Sequence, residues 1–548
     1  MIIEVENFSA AEMIDGSTLS NGDIVLVNGH TNRMDGGEGS FQWVAGNTDV
    51  EDSGTVIKLN DGTSGSLKRE YSGKLSVAFF GASGDGSECT SAIQAALDCC
   101  SNQSISSLFI PAGDYIVNTT LTVTSDRLAI QNEGTLIFDD GFDANYGVNT
   151  AVSSYFSFSG GKLVDNADLN SRNALHRALR AEGCDFFVVE NVSLDGWYTN
   201  IHANLCETFV FNNIQMSRTL GVDAQYGYGI NSSAKRNFGS QLYWDNSSHA
   251  SHGRHMLYLN GTASFASIIG LYGKGCVRNP VNISLDTANE GSISLRDLFV
   301  EDVLTDPGST TGVVNISSGN NPPPDGVEVL IDGLCVDGYD GRVVSMPSGG
   351  YKHSKLLNIT AKNHLGDGTR PFDGIQAEGV DSVTIRNVFI DKLASSSSKG
   401  VELEEGSKAL VERIIVPFNQ GQSVVRLDDQ EDSVVRDITS GITEKVSFND
   451  ADTCLYERPI KEGFVQLSGS SPDVENLKKV FFSEGSSLLV QNFLNGFDGQ
   501  ELYVTSMQGN VTIEDNSDIY TIGHINIAMS SNQTILLVKR GSRWIQVS

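Results

Sequence analysis

Cys184-Asp-Phe-Phe-Val-Val-Glu-Asn-Val, Glu207-Thr-Phe-Val-Phe-Asn-Asn-Ile, Gly291-Ser-Ile-Ser-Leu-Arg-Asp-Leu, Val327-Glu-Val-Leu-Ile-Asp-Gly-Leu and Asp381-Ser-Val-Thr-Ile-Arg-Asn-Val are versions of one phrase. Each is a short strand-like run that ends in Asn, Asp or Gly and restarts on Val, Ile or Leu. The phrase recurs from about Ala178 to Thr443, at spacings of roughly 22 to 30 residues, within the range of stacked repeats. A unit of that length cannot bury a core alone, so the units must stack on one another. Short strands, turns of Gly, Asn and Asp, and only 11 Pro in 548 residues predict an all-β chain built on a right-handed parallel β-helix, a solenoid. Such a fold presents a long wall to solvent, and its function depends on what lines that wall.

The composition excludes several function classes. There are 37 basic and 68 acidic residues, a net charge of −31. That balance argues against nucleic acid, whose phosphates need a basic face. It also disfavours a polyanionic substrate unless basic residues are concentrated locally. No apolar run reaches the length of a spanning helix, so no membrane insertion is expected. The start, Met1-Ile-Ile-Glu-Val-Glu-Asn-Phe, has neither a basic nor an apolar signal region. Cys184 and Cys206 lie one repeat apart and read as stacked interior thiols. No Cys-x-x-Cys pair occurs, so neither a metal, a cofactor nor a disulfide framework is expected.

Three segments follow along the chain. Residues 1–74 read as a small N-terminal β unit, with strands at Asn21-Gly-Asp-Ile-Val-Leu-Val-Asn-Gly and Gly54-Thr-Val-Ile-Lys-Leu. Between them a glycine-rich loop, Asp35-Gly-Gly-Glu-Gly, leads into Ser40-Phe-Gln-Trp. Residues 75–456 carry the solenoid, opened by a capping helix near 90–101. Thr90 is its expected N-cap, and Ile93, Ala96, Leu97 and Cys100 form its apolar face. Residues 457–548 alternate apolar and polar positions, as in Gln533-Thr-Ile-Leu-Leu-Val-Lys and Arg543-Trp-Ile-Gln-Val. They are expected to form a C-terminal antiparallel β domain for trimerisation, sugar binding or both.

The leading region resembles a known family. Asp35-Gly-Gly-Glu-Gly-Ser-Phe-Gln-Trp, Lys68-Arg-Glu-Tyr, Phe80-Gly-Ala-Ser-Gly-Asp-Gly and Ala92-Ile-Gln-Ala-Ala look like the opening of bacteriophage tailspikes, the pectate-lyase-like β-helix depolymerases. The resemblance implies a virion tail protein that binds and cleaves a bacterial surface polysaccharide: O-antigen, capsule or exopolysaccharide. It also implies a homotrimer, joined to other virion tail proteins through the N-terminal region. The Phe-Gly-Ala-x-Gly-Asp-Gly turn also occurs in bacterial polysaccharide lyases. A secreted bacterial lyase and a non-catalytic sugar-binding spike therefore stand as alternatives.

Alternation along each strand assigns the wall. Ile201, Ile230, Leu257, Ile283, Val314 and Val344 are expected inside. The outward column is then His202, Asn231, Tyr258, Asn282 or Ser284, Asn315 and Ser345, continued by Gln376 and Glu378, Glu402 and Glu404, and Arg426 and Asp428. Of these, His202, Asn231, Tyr258, Asn315 and Gln376 are the expected sugar-binding residues, since amides bond hydroxyls and tyrosines stack on sugar rings. The catalytic candidates are Asp223, Tyr228, His252, Arg254 and His255. In a lyase, Arg would neutralise a uronate carboxylate while His or Tyr removes the acidified proton. In a hydrolase, two carboxylates would flank the glycosidic bond, drawn from Asp223, Asp245, Asp286, Asp373 and Glu378. The wall is thus split between a His/Arg/Tyr end near residues 200–260 and an acidic end beyond about 370.

Overall fold

The computed structural model describes residues 1–139, 142, 145–151, 153–166, 176–219, 227–249, 253–261, 264–285, 291–303, 312–317, 326–347, 350–364, 374–393, 398–406, 408–419, 423–430, 432–440, 446–449, 455–457, 461–466, 470–472, 474, 477–482, 487–506, 511–531 and 533–547. They fall into two compact units, 1–435 with 439–455, and 456–548 with 436–438.

A parallel solenoid dominates the first unit. Each rung has three strands, one on each of three faces. In the third-face sheet, 13 strands pair in parallel, beginning with Leu121–Val123, Tyr146–Ala151, Arg177–Glu182 and Thr199–Asn204. The repeat is more variable than the sequence suggested: Glu182 stacks on Asn204, 22 positions on, and Asn282 on Asn315, 33 positions on.

In the early rungs the first and second strands are separate, as in Phe186–Glu190 and Ser193–Asp195. From Thr208–Ser217 onward they merge into one bent strand, repeated at Arg236–Asp245, Phe265–Cys276, Gly291–Val303, Val327–Tyr339, Tyr351–His364 and Val380–Ile390. One left-handed residue makes each bend: Asn213 (φ 51°), Gln241 (53°), Gly270 (71°), Asp297 (55°), Gly333 (79°), Asn358 (55°) and Asn387 (58°). Most are the Asn, Asp or Gly that closes the recurring phrase. Asn and Asp tolerate this conformation better than other side chains, and Gly adopts it freely. The corners also bond to each other. Asn213 Nδ2 donates to Asn191 Oδ1 (2.9 Å), and Asn387 Nδ2 to Asn358 Oδ1 (2.9 Å).

Inside the coil, like stacks on like. Leu179, Ile201, Ile230, Leu257, Val281, Val314, Val344, Ile375, Val401 and Val425 follow one another in register and are buried. Val281, rather than the expected Ile283, sits beneath Leu257. Ile283 also points inward, two residues along, so the outward column is unaffected. Phe156, Phe187 and Phe209 stack at 5.7 and 5.0 Å under the first face.

The helix Thr90–Gln103 lies at the start of the coil, burying Ile93, Ala96, Leu97, Cys99 and Cys100. Thr90 is not its N-cap. Cys89 holds that position without a side-chain bond, and Glu88 Oε1 accepts the Thr90 N–H instead (2.8 Å). Thr90 Oγ1 is occupied one rung on, accepting from the Asn118 N–H (2.8 Å).

The leading segment is a five-stranded sheet in the order Ile2–Val5, Ile24–Val27, Gly39–Ala45, Gly65–Glu70, Val56–Ile57. Its core is Phe8, Val25, Phe41, Trp43, Ile57 and Leu67. A short helix, Phe8–Glu12, capped by Asn7, was not predicted. Arg69 accounts for the glycine-rich loop. Its buried guanidinium donates to the Gly37, Glu38 and Gly54 carbonyls, and a Cβ on Gly39 would lie 2.3 Å from Nη1.

The second unit is a mixed β domain rather than an antiparallel one. Lys461–Gln466, Leu477–Phe482 and Glu501–Ser506 pair in parallel, and only then does Gln533–Arg540 run antiparallel to Glu501–Ser506. Alternation in sequence fixes which face a side chain takes, not the direction of the neighbouring strand. Among the described residues no helix is long and apolar enough to cross a membrane.

Replacing a corner residue tests the role of the bend. Asn387→Val should lower stability to urea by about 1–3 kcal/mol, the cost of a branched side chain at positive φ, while Asn387→Gly should stay close to wild type. Equal unfolding midpoints for the two variants would contradict the account.

Candidate functional site

The third face carries an unbroken column of side chains on the non-core side of its strands, of which Asn315, Ser345, Gln376 and Glu402 are buried. Asn149, Arg180, His202, Asn231, Tyr258, Asn282, Asn315, Ser345, Gln376, Glu402, Arg426 and Ser447 pair strand by strand in that order. Asn282 holds the position left open between Asn282 and Ser284. Glu378, Glu404 and Asp428 form a second, shorter column beside it. The chain reaches this face through long connections, as from Asp165 to Arg177, Ser217 to Gly227, Val303 to Gly312 and His364 to Ile375. The opposite corner is a single residue. Length variation is therefore concentrated in the segments that lead to the third face.

At the basic end a β-bulge shapes the site. Gly227 pairs with Gly253 but Tyr228 with His255, so Arg254 is the extra residue on its strand. Arg254 Nη1 donates to the Tyr228 hydroxyl (3.2 Å), and its Nε is buried without an acceptor. Tyr228 packs against Tyr198 (6.1 Å), His255 (5.6 Å) and Tyr258 (5.8 Å between centroids). One rung before Tyr198, Arg177 and Arg180 both lie over the Tyr146 ring, at 5.4 and 4.8 Å.

Burial holds His202 and His255 in the neutral form. His255 is 1% exposed, and its Nδ1–H donates to the Asn279 carbonyl (2.6 Å). Burial pushes its pKa down to about 3. Burial, with the charges of Arg177 and Arg180, holds His202 at about 3 as well, and its Nδ1 has no partner.

The acidic end is organised around Glu402. It is 3% exposed and ion-paired with Lys399 (2.5 Å) and Arg426 (3.3 Å). Arg426 also holds Asp428 (2.6 Å). Glu404 is different. Burial, the Glu402 carboxylate and the Glu378 charge push its pKa up to about 7. Glu378 is raised too, by burial and by Glu405. A carboxylic acid protonated near neutrality beside ion-paired carboxylates has the form of a general acid.

Several expected residues lie elsewhere. Asp245 is on the second face and not on the wall; it closes a turn by accepting from the Ser247 N–H (3.0 Å) and hydroxyl (2.6 Å), which lowers its pKa. Asp223, His252, Asp286 and Asp373 fall outside the described residues. Asn231, Asn315 and Gln376 are on the column. Asn231 Oδ1 accepts from Asn260 (3.1 Å), and Asn315 donates to Asn282 (2.7 Å). The Oδ1 of Asn315 and Oε1 of Gln376 are buried without donors. Glu404 was placed on the wall by the sequence but not chosen as an acid. The signal was its offset of three from Val401, matching Glu378 after Ile375.

Known proteins give two kinds of match. Residues 4–72 match the family model of the phage tail protein small four-stranded beta-sheet domain. No curated protein sequence matches the chain. Solved structures that match include tailspike protein 2 of bacteriophage CBA120, whose enzymatically active domain is 11% identical with a TM-score of 0.32, covering 98% of this chain and 69% of that one. The gp42 tailspike of Acinetobacter phage vb_AbaP_AS12 is 11% identical with a TM-score of 0.40, covering 100% and 94%. The chain spans 62% of the full-length tailspike protein 2. These scores are low, and the solenoid is assigned from the strand registers above.

Glu404 makes stability depend on pH. Its pKa is raised on folding, so the stabilising contribution of its protonated form is complete below about 4.5 and is lost as pH rises through about 7. Glu404→Gln should flatten the fall in unfolding midpoint over that window, whereas an unchanged profile would count against the raised pKa.

Proposed function

We propose that this chain is a tailspike-like depolymerase that cleaves a bacterial surface polysaccharide by hydrolysis on the third face. The observation that carries the reading is the register of Glu378, Glu404 and Asp428 on three successive strands of an otherwise amide-rich wall. Adjacent rungs are about 4.8 Å apart. Carboxylates one rung apart approach the ~5–5.5 Å of a retaining glycosidase, and those two rungs apart fall in the ~6.5–9.5 Å of an inverting one. Glu404 acts as the proton donor. Glu378 or Asp428 supplies the second carboxylate. The phage tail module at residues 4–72 supports a virion setting, with that segment joining the other tail proteins.

The lyase reading is weaker at its base. His255 is too deeply buried to meet a substrate carbon. Among the described candidates that leaves Tyr228, with Arg254 beside it, for β-elimination. The homotrimer implied by the resemblance has one support in the coil: Tyr243, Tyr272 and Phe299 stack on the outside of the second face at 4.7 and 5.5 Å, and Tyr243 is 43% exposed. Such an edge suits a second copy of the chain, and a light-scattering mass other than three chains would remove it.

Incubation with a panel of purified capsular and O-antigen polysaccharides tests the activity. The expected products carry new reducing ends without the ultraviolet absorbance of an unsaturated uronate. Glu404→Gln should lower kcat by about 10²–10⁴-fold with binding retained. Unsaturated products would favour β-elimination at Tyr228, and binding without cleavage would leave a non-catalytic spike.

A further inference from the structure

Arg177 and Arg254 are half-buried guanidiniums that meet no carboxylate among the described residues. In a chain with 68 acidic and 37 basic side chains, that is unusual. Elsewhere on the coil Arg180 pairs with Glu182, Arg218 with Asp195, Arg386 with Glu412, and Arg426 with Glu402 and Asp428. Arg177 instead lies against Tyr146, donating to its hydroxyl (3.3 Å). Arg254 contacts only the Tyr228 hydroxyl and leaves its buried Nε without an acceptor. A guanidinium taken out of water without an anion is costly unless a ligand completes it.

Two tyrosines lie between these arginines. Tyr198 and Tyr228 meet edge to face at 6.1 Å, and the Tyr198 hydroxyl feels the charges of both Arg254 and Arg177. The order along the wall is therefore Arg177, Tyr198, Tyr228, Arg254. Tyrosine rings pack against the apolar faces of sugars, and the planar guanidinium fork binds carboxylate or phosphate through two parallel N–H bonds.

We propose that this row binds an acidic glycan, with the tyrosines holding sugar rings and Arg177 and Arg254, three rung steps apart, each meeting a separate anionic substituent. The proposal rests on the wall reading above and names the substrate class: a polysaccharide whose repeating unit carries a carboxylate or a phosphate. The net charge of −31 then sets orientation. An anionic residue is repelled from the column of Glu378, Glu404 and Asp428 and attracted to the arginines. Five rung steps separate the Arg254 and Glu404 strands, about 24 Å along the coil at 4.8 Å per step. The chain would be held by its acidic residue at one end and cut at a less charged one at the other.

The test needs no knowledge of the host. D-glucuronate, glucose 6-phosphate and glucose are titrated into the full chain, with saturation-transfer NMR and the ring signals of Tyr198 and Tyr228 as readouts. Saturable binding of glucuronate, of glucose 6-phosphate or of both, weakened by salt, supports the subsite and says which anion it takes. Arg177→Gln and Arg254→Gln should each remove one of the two sites, and the double variant should weaken that binding at least tenfold. If a glutamine variant does not fold, the wild-type shifts of Tyr198 and Tyr228 decide. No saturable binding of either anion, equal binding of glucose, or full affinity in the folded double variant would overturn the proposal. Since no step depends on Glu404, binding without cleavage would fail the hydrolase reading alone.

Discussion

The left-handed corner between the first and second strands is the constraint on which the rest depends. One residue turns the chain, so no slack accumulates between rungs there. Asn213, Asp297, Asn358 and Asn387 adopt it at modest cost, and the Asn213 and Asn387 amides bond to the corner asparagine of the rung before, Asn191 and Asn358. Corners of fixed length keep the strands on both sides in phase. All the length variation is pushed to the connections flanking the third face. The strands of the wall consequently stay in register while the segments between them vary in length.

Phase has an electrostatic consequence. Parallel in-register stacking sets equivalent positions one rung apart, so each outward side chain directly faces its counterpart on the next rung. Amides tolerate this, since one can donate to the next, as Asn315 does to Asn282. Carboxylates do not. Glu402 is neutralised by Lys399 and Arg426, but Glu404, stacked on Glu378, has no such partner on its own column and retains its proton to higher pH. The fold itself thus separates two neighbouring glutamates into a paired carboxylate and a raised acid. At the other end the same stacking collects arginines over Tyr146 and keeps His202 neutral.

Much of this was legible in the sequence, because a solenoid repeats its instructions. The closing Asn, Asp or Gly marked the corner before its φ was known, and period-two alternation gave the outward column nearly residue by residue. What was not legible depended on chemistry between rungs. Nothing local in His249-Ala-Ser-His-Gly-Arg-His revealed that His255 would turn inward to the Asn279 carbonyl, because a one-residue bulge decides it. Asp245 reads as one more acid until its turn with Ser247 is seen. Strand direction in the C-terminal unit escaped for the same reason: alternation reports faces, and partners come from distant segments.

The most direct measurement is a crystal structure of the chain soaked with an oligosaccharide from the polysaccharide it binds. The account places the sugar along the third face, running from Tyr228 and Tyr258 past Asn315 and Gln376 toward Glu404. A glycan resting on the first or second face, or confined to the C-terminal unit, would contradict it.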